Sequence, residues 1–335
     1  MTHELKDAYR HCEQLASASA SSFFWSFRLL PREQRQAMCA LYAFSRHTDD
    51  LADGDLADGD LADGDLADGD LADGDLATDV RRAHLDAWRC ELRDALNGNC
   101  HSPLWRALHD TTVRFAIPHE YLVAIVDGVA MDLSPPCYDT FDDLNDYCYH
   151  VASAVGLACI HIFGFEDDRA EKLAETCGVA FQLTNILRDL CEDAAQGRVY
   201  LPRKELADFD CHPNDFRQGE MNAQVRELMH FQIARAERLY DEAASLATLL
   251  HPRGRRAFVL MFSTYRTLLA EIKRRDGDVF TRRVRLGSRG KLKAVMAALQ
   301  FRAPSPAHTD DESKVHSRTR KSRDSRRVAV RQSGN

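Results

Sequence analysis

Gln182-Leu-Thr-Asn-Ile-Leu-Arg-Asp-Leu-Cys-Glu-Asp193 carries two interleaved helical stripes. Val179, Leu183, Ile186, Leu187 and Leu190 recur every three or four residues, the apolar pattern of a helix packed against a core. Gln182, Asn185, Asp189 and Glu192/Asp193 form the other stripe, which holds oxygen donors and no lysine. Asp189 and Asp193 are one turn apart on one face, where like charges repel. A hard cation resolves that conflict. Mg²⁺ takes one or two carboxylates and completes its shell with water and substrate phosphate. Arg188, beside the stripe, suits a phosphate oxygen. For this segment alone, a solvated acidic face would explain the pattern equally well.

A second segment weakens that plainer reading. Arg46-His-Thr-Asp-Asp-Leu-Ala-Asp53 offers the same combination, with Asp49 and Asp53 one turn apart and an arginine one turn earlier. Met38, Leu41, Tyr42 and Ser45 lead into it at helical spacing. Two acidic pairs on separate helices could face one cavity and hold a diphosphate between metal ions.

The composition agrees with helices. The 335 residues are 44% hydrophobic, enough for a substantial core, with 17 glycines and 10 prolines and no sustained strand alternation. Tyr147, Val151, Val155, Ala158 and Ile162 predict a further helix, Pro202 a stop for the helix through Asp193, and Arg255 to Lys273 another helix. No signal segment opens the chain and no run of 18 apolar residues follows, so neither secretion nor membrane spanning is indicated. The 10 cysteines show no CxxC pair or zinc spacing and read as reduced core thiols of a cytosolic protein.

The formal charge of −8 comes from one place. Residues 51–75 are five copies of Leu-Ala-Asp-Gly-Asp, and four of them account for the whole excess. A five-residue period fits neither helix nor strand, and its glycines weaken a helix. Neither the calcium loop of an EF-hand nor a nine-residue calcium repeat has this register. The repeat is expected to be a solvated acidic loop ahead of a helix starting near Thr78-Asp79, with its first copy completing the acidic motif at Asp53. From Lys314 to Arg331 there are eight basic residues and one acidic one. Residues 303–335 read as a disordered basic tail after one domain spanning 1–302. A solvated tail is the simpler reading. The sharper one is peripheral attraction to anionic lipid headgroups at the inner face of the membrane.

The chain resembles the squalene and phytoene synthase family of trans-prenyl synthases from about Ser22 to Arg302. The resemblance rests on Ser22-Phe-Phe-Trp-Ser-Phe-Arg-Leu-Leu-Pro31, Ala40-Leu-Tyr-Ala-Phe-Ser-Arg46, the Asp49-Asp50-x-x-Asp53 box and Met131-Asp-Leu133. It continues in Tyr147-Cys-Tyr-His-Val-Ala-Ser-Ala-Val-Gly156, Gln182 through Asp193, Gly197-Arg-Val-Tyr-Leu-Pro202 and Tyr265-Arg266. It implies an all-α isoprenoid-synthase bundle with a central cavity, and head-to-head condensation of two prenyl diphosphates. On the family pattern Asp49 and Asp53 hold Mg²⁺ (or Mn²⁺) from one wall, and Asn185, Asp189 and Asp193 from the other. Arg46 and Arg188 would steady diphosphate oxygens, with Tyr42, Tyr147 and Tyr265 near the leaving diphosphate. Phe23, Phe27, Val151, Ala152, Gly156, Gln182 and Leu183 match positions lining the hydrocarbon pocket. His150 departs from the family pattern, so no role is carried over to it.

Within that resemblance, Val-Ala-Ser-Ala-Val-Gly and Leu-Arg-Asp-x-x-Glu-Asp-Ala look most like the bacterial branch that joins two farnesyl diphosphates into presqualene diphosphate, toward squalene or hopanoids. Phytoene formation from geranylgeranyl diphosphate, on the carotenoid route, is the alternative. No Gly-x-Gly-x-x-Gly follows a strand, so NADPH is not expected, nor is a nucleic-acid partner. Relatives that serve as assembly or scaffold proteins tend to lose the acidic boxes. Both are intact here, which favours an enzyme. A terpene cyclase would share fold and metals, but Arg198-Val-Tyr-Leu-Pro202 favours condensation.

Overall fold

The computed structural model describes residues 2–18, 22–53, 74–134 and 136–301, and all structural statements concern these residues. The chain threads through α1 (His3–Ala18), α2 (Ser22–Phe27), α3 (Arg32–Asp53), α4 (Gly74–Leu96), α5 (Pro103–Phe115), α6 (His119–Met131) and α7 (Phe141–Cys148). There follow α8 (Ala154–Phe163), α9 (Arg169–Ala195), α10 (Arg203–Asp208), α11 (Pro213–Gln218), α12 (Ala223–Ala243), α13 (Leu246–Leu249), α14 (Pro252–Arg274) and α15 (Ser288–Gln300). Among the described residues there is no strand, only one antiparallel bridge between Phe165 and Leu250. The all-α expectation holds.

Local signals start these helices where chain chemistry demands. The Ser102 hydroxyl accepts the Trp105 N–H at the head of α5, and Asn222 accepts the Val225 N–H at the head of α12. Thr140 and Asp143 form a reciprocal capping box on α7.

α9 is the spine. Its first half, through Ala170, Ala174 and Cys177, belongs to an apolar core shared with α1, α3, α5 and α8. Its second half, from Val179 to Ala194, belongs to another core built with α7 and α12. Leu183, Ile186, Leu187 and Leu190 are buried as their spacing predicts. The hydroxyl pair of Thr184 and Tyr240, 2.9 Å apart and fully buried, pins α12 to this spine.

Three boundaries differ from expectation. α9 ends at Ala195, and Gly197 takes a left-handed φ of +79° just beyond, so the chain turns away before Pro202. Pro202 instead precedes α10. α4 begins at Gly74, inside the last copy of the repeat, rather than near Thr78-Asp79. The rest of the repeat, residues 54–73, and the basic tail from residue 302 lie outside the described residues.

The third difference bears on function. The stripe from Tyr147 to Ile162 is not one α-helix, because residues Tyr149–Ser153 form a π-helical turn between α7 and α8. Two glycines let it approach its neighbours. A Cβ on Gly178 of α9 would lie 2.4 Å from the Ser153 Cα, and one on Gly128 of α6 would lie 2.9 Å from the His150 carbonyl carbon. The Ser153 hydroxyl donates to the Glu175 carbonyl at 2.7 Å and fastens the turn to α9. Insertions of this kind re-aim side chains, and they recur at functional sites.

Candidate active site

The π turn forms part of the wall of a central cavity of about 340 Å³. One end is polar. Tyr42, Ser45 and Asp49 reach it from α3, Gln182 and Asn185 from α9, and Tyr265 from α14. The remaining lining is hydrocarbon and small residues: Val151, Ala152, Val155, Gly156, Cys177, Gly178, Phe181, Phe27 and Met261 among them. Phe163 and Phe258 lie at the far end, where Phe163 packs over Gly254 at the start of α14. From Asp49 back to Met38 on α3, and from Asn185 back to Ala174 on α9, the lining covers the same eleven-residue step, about 16 Å of helix axis.

The acidic segments therefore converge: Asp49 and Asn185 line one cavity. Tyr265 stacks flat on Phe181, with ring centroids 4.3 Å apart, and hydrogen-bonds with the Asn185 side chain. Burial raises its hydroxyl pKa, opposed by the Arg188 charge. Phe27 meets Tyr42 edge to face at 6.2 Å. Of the expected site residues, Phe27, Tyr42, Asp49, Val151, Ala152, Gly156, Gln182, Asn185 and Tyr265 line the cavity.

Others sit behind or beside it. Leu183 is fully buried in the second core. Arg46 forms an ion pair with Asp50 at 2.5 Å, on an exposed part of α3. Arg188 donates through Nε to Asp189 at 2.8 Å, and Arg283, from the segment before α15, donates to the same carboxylate at 2.8 Å. Burial would raise the Asp189 pKa, but these two guanidiniums outweigh it and hold it below the usual carboxylate range. Asp193 goes the other way. Burial first, then the Asp189 charge, push it up to about 6 against the opposing pull of Arg198. Asp53 closes α3 and Phe23 lies in α2, but their side chains are outside the described set.

Tyr147 is not among the residues that line the cavity. It is buried in the second core, and its hydroxyl donates to Asp132 at 3.0 Å. Tyr200 donates to the same carboxylate at 3.1 Å and stacks on Tyr147 with centroids 5.2 Å apart. Asp132 follows α6 directly, so this cluster ties α6, α7 and the segment between α9 and α10 together. His150 bonds the Asp146 carbonyl through Nδ1 at 2.8 Å, within its own turn.

Arg283, Asp132, Tyr200 and the π turn were not assigned roles from sequence. Asp132 and Tyr200 stood inside the motifs that carried the resemblance, Met131-Asp-Leu133 and Arg198-Val-Tyr-Leu-Pro202. Arg283 had no local signal, because its partner lies 94 residues away.

The donor set suits a hard divalent ion. The Asn185 Oδ1 and Glu192 Oε2 atoms are buried without a hydrogen-bond partner. Asp193 sits among Asp189, Glu192 and Asp132, which together raise its cost of ionising. Among the described residues, no group of three or more Asp, Glu, His or Cys side chains forms a metal cage by itself.

An all-helical bundle around a cavity that is oxygen-rich at one end and hydrocarbon along its length has the architecture of the helical isoprenoid synthases. Comparison with known proteins agrees. The sequence model of the squalene/phytoene synthase family matches residues 16–289. Phytoene synthase of Arthrospira platensis is 34% identical, covering 89% of this chain and 94% of its own. Phytoene synthase 2 of Solanum lycopersicum is 34% identical over 86% of this chain and 88% of its own. Among solved structures, squalene synthase HpnC from Alicyclobacillus acidocaldarius superposes with a TM-score of 0.72 at 31% identity, covering 84% of this chain and 98% of that one. A ligand-bound dehydrosqualene synthase gives a TM-score of 0.75 at 26% identity, covering 88% and 96%. The chain belongs to the squalene/phytoene synthase family, whose members are prenyltransferases that join prenyl diphosphates head to head.

Proposed function

We propose that the chain joins two farnesyl diphosphates into presqualene diphosphate, using Mg²⁺ held between Asp49 and Asp53 on one side and Asn185, Asp189 and Asp193 on the other. The observation that carries this reading is the cavity, polar at Asp49 and Asn185 and apolar as far as Phe163 and Phe258. The lining runs along about 16 Å of helix axis on both α3 and α9, which supports a prenyl chain lying along these helices.

When bound, the divalent ion neutralises charge developing on the departing diphosphate. The chain's own residues do the rest. Arg188 and Arg283, already grouped around Asp189, offer donors to diphosphate oxygens at the polar end. Tyr42 and Tyr265 stand at the boundary between polar and apolar lining. Val151, Ala152, Val155 and Phe181 keep water from the allylic cation until the second substrate's double bond meets it. Gly156 and Ala152 leave the width for a second chain. A proton is then lost to close the cyclopropane ring, with a tyrosine hydroxyl or the released diphosphate as the acceptor.

Phytoene formation from two geranylgeranyl diphosphates is the second reading, favoured by curated relatives that are phytoene synthases at 34% identity. Incubation with radiolabelled farnesyl or geranylgeranyl diphosphate and Mg²⁺, with and without NADPH, separates them by product chromatography. Presqualene diphosphate from the shorter substrate is the expected product. Preferential consumption of the longer one would replace the first reading with the second.

A further inference from the structure

The last helix is built inside out. In α15 the residues packed inward are small, with Ala294 and Ala298 each 1% exposed. Its large apolar residues point to solvent: Leu292 is 62% exposed, Val295 41%, Met296 42% and Leu299 58%. These four fall at i, i+3, i+4 and i+7, one continuous stripe along eight residues of the thirteen-residue helix. A helix added only to stabilise the bundle would bury its leucines and expose its alanines. Scattered exposed apolar residues need no explanation, but an aligned stripe does.

Charge indicates the occupant. Lys291 and Lys293 are exposed, and helical geometry sets them at the two edges of the stripe. The helix Ser288–Gln300 contains no acidic residue. An apolar stripe bordered by lysines is the signature of a helix lying in the headgroup region of an anionic bilayer. The sequence after Phe301 is a poor competitor for the stripe. Residues 302–335 hold three valines but no Leu, Ile, Met, Phe, Trp or Tyr, and their basic run shares the sign of the lysines. The stripe also lies beyond residue 289, where the family match ends.

We propose that α15 is a membrane-docking helix that seats Leu292, Val295, Met296 and Leu299 in the surface of an anionic lipid bilayer, with Lys291 and Lys293 at the headgroups. The assignment is independent of which prenyl diphosphate the enzyme uses. It moves the lipid contact from the basic tail, where the sharper of two sequence readings had it, to a folded element.

Flotation of the full-length protein with phosphatidylglycerol–phosphatidylcholine vesicles and with phosphatidylcholine alone tests it, using Leu292→Gln with Leu299→Gln and Lys291→Gln with Lys293→Gln. Both pairs change exposed side chains outside the cavity, so the unfolding midpoint and detergent-supported turnover should match wild type. The apolar pair should lose binding on the order of a hundred-fold, about tenfold per leucine withdrawn from lipid. The lysine pair should weaken binding to the anionic vesicles and leave the weak binding to phosphatidylcholine unchanged. Wild-type binding by the leucine pair would overturn the proposal and return the contact to the tail. A dimer in vesicle-free buffer that the leucine pair converts to monomer would also overturn it, assigning the stripe to a second copy.

Discussion

Gly178 sets how closely the π turn approaches α9, and Gly178→Ala tests the consequence. The added methyl would meet the Ser153 Cα at 2.4 Å, its hydroxyl at 2.6 Å and its backbone N at 2.7 Å. Two of these atoms are main chain and cannot swing aside, so the turn must shift by roughly 1 Å to restore contact distance. Overpacking of this kind costs about 1–3 kcal/mol, and a main-chain clash belongs at the upper end. Alanine's better helix propensity returns about 1 kcal/mol, for a net loss near 2 kcal/mol. The shift strains the Ser153–Glu175 bond and moves Val151 and Ala152 at the cavity wall. Urea unfolding should show the lost stability, and steady-state assays should show a raised KM with a lower kcat. Gly156→Ala is the control, because its methyl would find only the Ala174 carbonyl at 3.6 Å. It should unfold later than wild type by up to about 1 kcal/mol, yet turn over more slowly, since Gly156 lines the cavity. A Gly178→Ala protein as stable and active as wild type would refute the packing argument.

Three further outcomes follow from the site. Asp189→Asn should lower turnover by about a hundred-fold or more while moving stability by less than about 1 kcal/mol; equal loss of both, measured by single-turnover kinetics and thermal unfolding, would mark a structural role. The Asp193 carboxyl titrates near 6 in the folded protein, above its unfolded value of 3.8. Its contribution to stability is therefore full at low pH and lost as pH rises through 6, so Mg²⁺ should raise the unfolding midpoint more near neutrality than at mildly acidic pH. A flat pH response in differential scanning fluorimetry would contradict that. Deleting four of the five Leu-Ala-Asp-Gly-Asp copies should leave Mg²⁺-dependent turnover in both long and short proteins, because doubling a loop costs only about 0.6 kcal/mol; turnover in the shortened form alone would refute it.

Much of this architecture was legible from periodicity. The oxygen-bearing stripe of α9, the approach of α3 to Asp49 and the extent of α14 follow from residue spacing that packing then enforces. What escaped depends on contacts between distant segments. The π turn has no signature in the stripe from Tyr147 to Ile162, since it arises from Gly128 and Gly178 on other helices. Tyr147 looked like a cavity residue because its motif borders the site, but Asp132 and Tyr200 draw its hydroxyl into a buried cluster. Arg283 reaches Asp189 only once the chain has folded back. The stop of α9 was assigned to Pro202, whereas Gly197 turns the chain first.

On the proposed reading a single rod, α9, carries Asn185 and Asp189 for the ionic head and Ala174, Cys177 and Phe181 for the oily shaft. Head and tail of the substrate are thereby measured against one graduated scale, marked every 1.5 Å. A change of bulk at one rung, such as Ala174 or the facing Met38, would trim the longest isoprenoid admitted without disturbing the ionic grip. Product length in this enzyme should evolve by single substitutions along the shaft, whereas slipping one residue into the rod would turn every rung away from its task.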